Sequence, residues 1–400
     1  MTGFNRADSP ILVAEAGASG AIGAIRSLGR AGYPVHAASQ DADAIGLFSR
    51  YAAFRCVHPP YRSTDFVPWM RAYVARHRIA AIVPSEGFLM GALPQIEAFL
   101  PMLPDSPSFD LVRRCFSKAA VIEAFQSSGD PAALARLPQS WVVRRGEYPP
   151  AELSEVCRYP LYVKLDSVDS DDCLTSFVRR AGSIDDLRRI LAEAFAVGRQ
   201  CLVQESVPGV KVCYNVFLHH GGIVAETMCV ASHENPHRGG LTALRRLWWH
   251  EGIAEDARAR LRLLGWNGVA MVEYKYDAAT GRYWFIELNA RYWAALNLDL
   301  LAGVDFPKLQ LDAHFSGTTP AYATERRPIA CRFTFPADAG YALSKIRDAS
   351  VPVFSRLWAA LEFGLLFLHP GLKSDMWFPG DRGLYWKQMA RFFANLGKKA

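Results

Sequence analysis

The sequence predicts an α/β domain at the amino terminus, an α+β region of hairpins and helices after it, and a mostly helical carboxyl-terminal extension. Three observations point there. Residues 11–39, "ILVAEAGASGAIGAIRSLGRAGYPVHAAS", read as strand, Gly-rich turn, helix and strand. Residues 212–232 and 268–293 each read as two strands folded about a Gly-containing turn. Helical periodicity recurs in between, as in "SIDDLRRILAEAFAVG" at 183–198.

Taken in order, residues 11–14 are a buried strand. Ala21, Ala24, Ile25 and Leu28 follow the i, i+3, i+4, i+7 spacing of a helix face, Gly32 ends that helix, and 35–38 form the next strand. "FVPWMRAYVARHRI" is an amphipathic helix and "AAIVPS" another parallel-type strand, so 1–108 form an α/β domain with a mostly parallel sheet. The Pro/Ser-rich "LPDSPSFD" marks the boundary. Beyond it, 110–129 read as one helix carrying Lys118, "YPLYVKLDS" as a strand ending at Lys164, and 183–198 as a helix with Ser183 as N-cap. "QCLVQESVPG" is a strand running into a Pro-Gly turn, and "DARARLRLLGW" a further helix. The central domain spans 109–315 and the extension 316–400.

Four hundred residues, half of them hydrophobic and 21% charged, suit a globular protein of two or three domains. The formal net charge of +6 is spread along the chain. That favours small anionic ligands over nucleic acid, which would select a concentrated basic stripe. Eight cysteines (56, 115, 157, 173, 201, 213, 229 and 331) include no C-x-x-C pair and read as reduced core thiols of a cytoplasmic protein. The first residues, "MTGFNRADSP", lack the apolar run of a secretory signal. "LWAALEFGLLFLHPG" is the most hydrophobic late segment and is short for a membrane span.

The chemistry concentrates in "FIELNARYW", residues 285–293, where Glu287, Asn289 and Arg291 alternate with apolar neighbours. In a strand all three share a face, about 7 Å apart. Glu273, on the preceding strand, joins them in either of two even registers. It faces Phe285 and lies diagonal to Glu287, or it faces Glu287 directly. An odd register would separate the acids. Two carboxylates and an amide oxygen suit a hard divalent cation, and a guanidinium suits phosphate.

With these features in order, residues 10–315 resemble the ATP-grasp superfamily, in the branch of carbamoyl-phosphate-synthase-like carboxylate–amine ligases. "ELNARYW" followed by "LLAGVDFPKLQL" resembles that branch's E-x-N-x-R-[FY]-W segment and its "AGVDFP" helix. The resemblance implies an ATP-grasp fold with a Rossmann-like domain before it and a smaller lid lobe at about 140–205. It implies Lys118 and Lys164 as nucleotide-binding lysines, and Gln204, Glu205 and Ser206 as the hinge beside adenine. It makes Glu273, Glu287 and Asn289 the ligands of Mg2+ or Mn2+, and Arg291 the group that steadies the transferred phosphoryl. "HRGGLT" places His237, Arg238, Gly239 and Gly240 near the acceptor substrate, with Arg245 and Arg246 beyond. The implied activity is ATP-dependent activation of a small carboxylate as an acyl phosphate for attack by an amine. Carbamoyl or carboxyl transfer on the same scaffold is the alternative.

Two departures stand out. After Lys164 the family's Gly/Ser-rich loop is replaced by "LDSVDSDDCLTSF", whose Asp166, Asp169, Asp171 and Asp172 would repel a triphosphate unless they point outward or hold a cation. Where relatives carry a ribose-binding acid, this chain has Lys211, a candidate phosphate contact. Two other readings remain. "GASGAIG" offers the glycines of an NAD(P)-binding turn with Asp41 as ribose acid, although its spacing is G-x-x-G-x-x-G. "YWKQMARFFANLGKKA" aligns Trp386, Met389, Phe393 and Leu396 on one side of a basic helix, suited to its own core or to a membrane surface.

Overall fold

The computed structural model describes residues 4–85, 88–89, 93–105, 107–147, 158–318 and 328–397. Cys157, Lys398 and Lys399 lie outside them. The short, apolar runs at 11–13 and 81–83 pack into a four-stranded parallel sheet. Strands β1 (Ile11–Val13), β2 (Val35–Ser39), β3 (Phe54–Val57) and β4 (Ala81–Val83) lie in the order β3-β2-β1-β4. The sequence did not announce β3, because "FRCV" buries only Cys56 and carries no apolar run. Helices α1 (Ser19–Arg30) and α2 (Phe66–His77) accompany this sheet.

The helix expected over 110–129 is two helices, α3 (Phe109–Cys115) and α4 (Lys118–Ser127). Each has its own serine cap: Ser108 accepts from the Leu111 N–H and Ser117 from the Ala120 N–H. The second cap restarts the helix at Lys118 and leaves that residue's N–H outside the helical ladder.

A second, antiparallel sheet of β5 (Ser140–Arg144), β6 (Leu161–Leu165), β7 (Phe177–Ala181) and β8 (Gln200–Glu205) has the order β5-β8-β6-β7. Helix α5 (Ile184–Val197) lays Leu187, Ile190 and Leu191 on it, and Ser183 caps that helix as expected.

The largest sheet has seven strands. It holds β9 (Val210–His219), β10 (Gly222–Asn235), β11 (Leu241–Leu247), β12 (Gly268–Asp277), β13 (Arg282–Asn289), β14 (Ala330–Arg332) and β15 (Leu372–Ser374). Its order is β13-β12-β9-β10-β11-β14-β15. Helix α6 (Glu251–Leu264) buries Ile253, Ala257 and Leu261 in a core with Tyr274 and Phe285. Helices α7 (Leu296–Ala302) and α8 (Phe306–Ser316) follow β13. Leu296 and Phe306 share a core with Ile11, Ile25 and Trp293, so the first sheet and the largest one are joined by apolar packing.

The extension is not only helical. Alongside α9 (Ala339–Arg347), α10 (Val353–Leu365) and α11 (Gly383–Gly397) it supplies β14 and β15 to the largest sheet. Three-residue strands are too short to show periodicity. The extension is anchored by buried ions: Asp381 pairs with Arg26 of α1 at 3.0 Å, and Asp375 pairs with Arg245 of β11. No helix among the described residues is long and apolar enough to cross a membrane.

Candidate active site

The two hairpin acids meet. Glu273 of β12 is the direct cross-strand partner of Glu287 on β13. The register near the turn is odd, with Tyr276 opposite Tyr283, and a bulge between 273 and 274 leaves Ile286 as an extra residue and restores the pairing. Strict alternation therefore fails inside "FIELN". Tyr283, Phe285, Leu288 and Ala290 all lie in the core, a phase change at 286, while Glu287 and Asn289 face the other way. Asn289 donates its amide to Glu287 at 2.9 Å, leaving its oxygen for another partner.

Lysines surround the acids. Lys118, at the start of α4, lies 3.4 Å from Glu287. Lys211 of β9 lies 3.4 Å from Glu273 and 3.3 Å from Glu234. Lys164 of β6 is buried and donates to Gln204 Oε1 at 2.8 Å. Gln204 in turn donates to Ser140 at 3.0 Å. Burial alone would raise the Glu287 carboxyl, yet Lys118 and Lys164 pull it down to about 2. Burial pushes the Glu273 carboxyl up, helped by Glu287 and Glu234 and opposed by Lys211. Burial likewise depresses the Lys164 ammonium. Lys211 goes the other way, because Glu273 and Glu234 outweigh its burial.

The acids of the Asp-rich loop each have a side-chain partner, three of them cationic. Asp166 accepts from both the Lys118 N–H and the Lys118 ammonium, each at 2.6 Å. Asp169 accepts from Ser117 at 2.6 Å and Gln200 at 2.8 Å. Asp171 pairs with Arg145 and Asp172 with Arg62. Asp166 and Glu234 therefore belong to the cluster. The first was noticed only as a departure from pattern, and nothing marked the second, a lone acid on a long strand.

Other expected residues are placed differently. Arg291 lies beyond the end of β13, so it does not extend the shared face of Glu287 and Asn289. It lines a cavity of about 300 Å³ with Glu15, Ser19 and Ser85, at the ends of β1 and β4. The Glu205 and Ser206 N–H groups donate to the Gln139 and Pro160 carbonyls, at 3.0 and 3.2 Å, so neither is open to an adenine edge as the hinge stands. His237 and Arg238 bind Asp348 in the extension, at 3.2 and 2.8 Å, instead of joining the acids. Gly240 does join them: its carbonyl accepts from Lys211 at 2.7 Å. Its φ of +157° and an Asn235 oxygen 2.2 Å from where a Cβ would stand explain the glycine, and Gly239 beside it has φ +124°. Arg245 is buried with Asp375.

Two glycines of "GASGAIG", Gly20 and Gly23, serve packing. A Cβ at Gly20 would stand 3.0 Å from the Trp293 carbonyl, and one at Gly23 would stand 2.9 Å from Leu296. Asp41 is met by Arg391 at 3.3 Å. Among the described residues, no three His, Cys, Asp or Glu side chains are grouped to hold a metal. The site offers two carboxylates and the Asn289 oxygen. That donor set fits Mg2+ when phosphate and water complete the shell.

No protein-family model and no curated protein matches the sequence. Solved structures do. An L-amino acid ligase from Bacillus licheniformis has a TM-score of 0.59 at 14% identity, covering 82% of this chain and 79% of that one. The ADP complex of N5-carboxyaminoimidazole synthetase from Staphylococcus aureus has a TM-score of 0.60 at 13% identity, covering 82% and 84%. The biotin carboxylase domain of Hydrogenobacter thermophilus 2-oxoglutarate carboxylase, solved with MgADP and bicarbonate, has a TM-score of 0.58 at 17% identity, covering 80% and 72%. The chain has an ATP-grasp fold. Within it, the β12–β13 hairpin, α4 and β6 bring Glu273, Glu287, Lys118 and Lys164 together.

Proposed function

We propose that this chain is an ATP- and Mg2+-dependent carboxylate–amine ligase. The direct pairing of Glu273 with Glu287, ringed by Lys118, Lys164 and Lys211, carries the reading. Within it, Lys118 and Lys164 neutralise the phosphates, and Glu273, Glu287 and Asn289 hold the metal. Mg2+, or Mn2+ in its place, would supply charge neutralisation for the phosphates. A substrate carboxylate oxygen attacks the γ-phosphorus, the bond to ADP breaks, and an acyl phosphate forms. The amine nitrogen then attacks the acyl carbon, phosphate leaves, and the nitrogen gives up a proton. The cavity lined by Arg291, Glu15 and Ser19 is assigned to the acceptor, with Arg291 steadying its carboxylate and the acyl phosphate. Gly240 acts on the acidic cluster through Lys211, while His237 and Arg238 stay tied to Asp348 and Gly239 shapes the turn between them. Gln204 orients Lys164, and 205–206 form the hinge. The division into 1–108, 109–315 and 316–400 and the lid at about 140–205 belong to the same reading. So does a cytoplasmic setting, supported by the free thiols of the seven described cysteines.

The decisive experiment measures ADP release from MgATP across amino acids and small carboxylic acids, with and without an amine. One acid–amine pair is expected to stimulate release in a magnesium-dependent way. No ATP binding and no ADP under any pairing ends the reading. Bicarbonate belongs in the screen, because carboxyl transfer is the second reading and a bicarbonate complex is among the similar structures. A parallel NADPH titration is expected to show no binding, because Gly20 and Gly23 are spent on packing.

A further inference from the structure

Helix α10 wears its amphipathic pattern inside out. In a surface helix the apolar stripe normally faces the core. Here Phe354, Leu357, Trp358, Leu361, Leu365 and Leu368 recur at three- and four-residue spacing, and all are exposed, with Phe354 at 87% and Leu368 at 79%. The inward side carries Ala359 and the half-buried Arg356, Glu362 and Phe363. A shallow groove of about 600 Å³ runs along the stripe, edged by Lys345. At one end the exposed Phe367 packs on Phe363, which leads inward to the buried Phe335, and Phe392 and the exposed Phe393 of α11 rest on Phe335 at 5.2 and 5.7 Å. So large an exposed apolar area on a folded chain marks an interaction site.

The charges around it select the partner. Between 339 and 395 every exposed charged side chain is basic: Arg347, Lys373, Arg382, Lys387 and Arg391, the last of them paired with Asp41. The acids of that segment turn inward. Asp348 binds His237 and Arg238, Glu362 lies 3.6 Å from His233, Asp375 binds Arg245 and Asp381 binds Arg26. Exposed Trp358, Trp377 and Trp386 add rings suited to a water–lipid boundary. A second copy of the chain would bring this basic rim against itself, which repels. An anionic bilayer meets both the apolar stripe and the rim. We propose that α10 and the exposed side of α11 lie in the surface of an anionic membrane, α10 parallel to it with Phe354 to Leu368 in the acyl boundary. This goes beyond the ligase reading and does not depend on it.

The test is sedimentation of the full-length protein with phosphatidylcholine vesicles and with phosphatidylcholine–phosphatidylglycerol vesicles. Binding is expected to the second kind, weakening with added salt, with a blue shift of tryptophan fluorescence. The exposed pair Leu357→Glu/Leu361→Glu, checked for an unchanged thermal melt, is expected to lower partitioning at least about tenfold. Lys373→Glu and Lys387→Glu are each expected to lower it about fivefold on anionic vesicles alone. No binding, or equal binding by the leucine pair variant, overturns the proposal. A dimer in analytical ultracentrifugation that the leucine pair variant dissociates, without vesicle binding, overturns it in favour of a second copy.

Discussion

Glu273 and Glu287 are opposed across the β12–β13 ladder, and each is met by its own lysine, Lys211 and Lys118, at 3.4 Å. Like charges directly opposite on a sheet are normally destabilising. Here the lysines stand where a cation would otherwise be needed.

Replacing Glu287 by Gln keeps the shape and removes the charge. Magnesium-dependent ATP turnover is expected to fall at least about a hundredfold, with an unchanged far-UV circular dichroism spectrum. The acid limb should change too. Glu287 is held at about 2, below its ordinary 4.5, so its contribution to stability is present above 4.5 and lost as pH falls towards 2. Melting temperatures from pH 5 to pH 2 should be flatter in the variant. Unaltered turnover would remove Glu287 from the metal site.

Asp166 holds Lys118 twice, at the residue proposed to meet a nucleotide phosphate. Asp166→Asn is expected to tighten MgATP binding by about tenfold, as a competing carboxylate is removed. Isothermal titration calorimetry reads this directly. Weaker binding would instead make Asp166 a supporting ligand of the nucleotide complex.

Asp381 compensates a guanidinium with no solvent exposure, and it also accepts from Ser49 and the Arg50 N–H. Asp381→Ala leaves Arg26 buried and short of its counter-charge, at a cost of about 3–5 kcal/mol. Urea unfolding followed by circular dichroism should show the midpoint falling accordingly. A loss below about 1 kcal/mol would mean that the anchor is incidental.

Asp299, after β13, accepts from Thr227 at 2.7 Å and Trp293 at 2.8 Å. Burial nevertheless pushes its carboxyl up to about 7 from 3.8, against those hydrogen bonds. The folded state then holds a proton that the unfolded state has released. Stability is fully present below 3.8 and declines as pH rises through 7. Asp299→Asn is expected to remove that decline. Thermal melts from pH 4 to pH 8 would show equal slopes if Asp299 did not titrate in this window.

What was legible in the sequence had a local signature. The βαβ unit, both hairpins and the Ser183 cap followed from periodicity and turn chemistry, and Glu273, Glu287 and Lys118 came together as expected. What was missed depends on partners distant in the chain. β3 is an edge strand without an apolar run. Ser117 breaks one apparent helix into two because its hydroxyl recaps the backbone. Asp166 turns inward only because Lys118, 48 residues earlier, awaits it. Arg238 looked like a substrate group because Asp348, its actual partner, lies 110 residues on. No register could be chosen from the hairpin's sequence, since a bulge leaves no mark on an apolar residue such as Ile286.

That bulge gives the hairpin something like a reading frame. Phe285 belongs to the oily interior and Glu287 to the charged cleft, and one surplus residue lets both obey. A single unmatched insertion or deletion between the turn and residue 285 would transpose the two messages, sending Leu288 toward the lysines and Glu287 into the core that holds Phe285. Length changes within that stretch of strand, from residue 282 to 285, should therefore be tolerated only in pairs, and engineers altering it should count by twos.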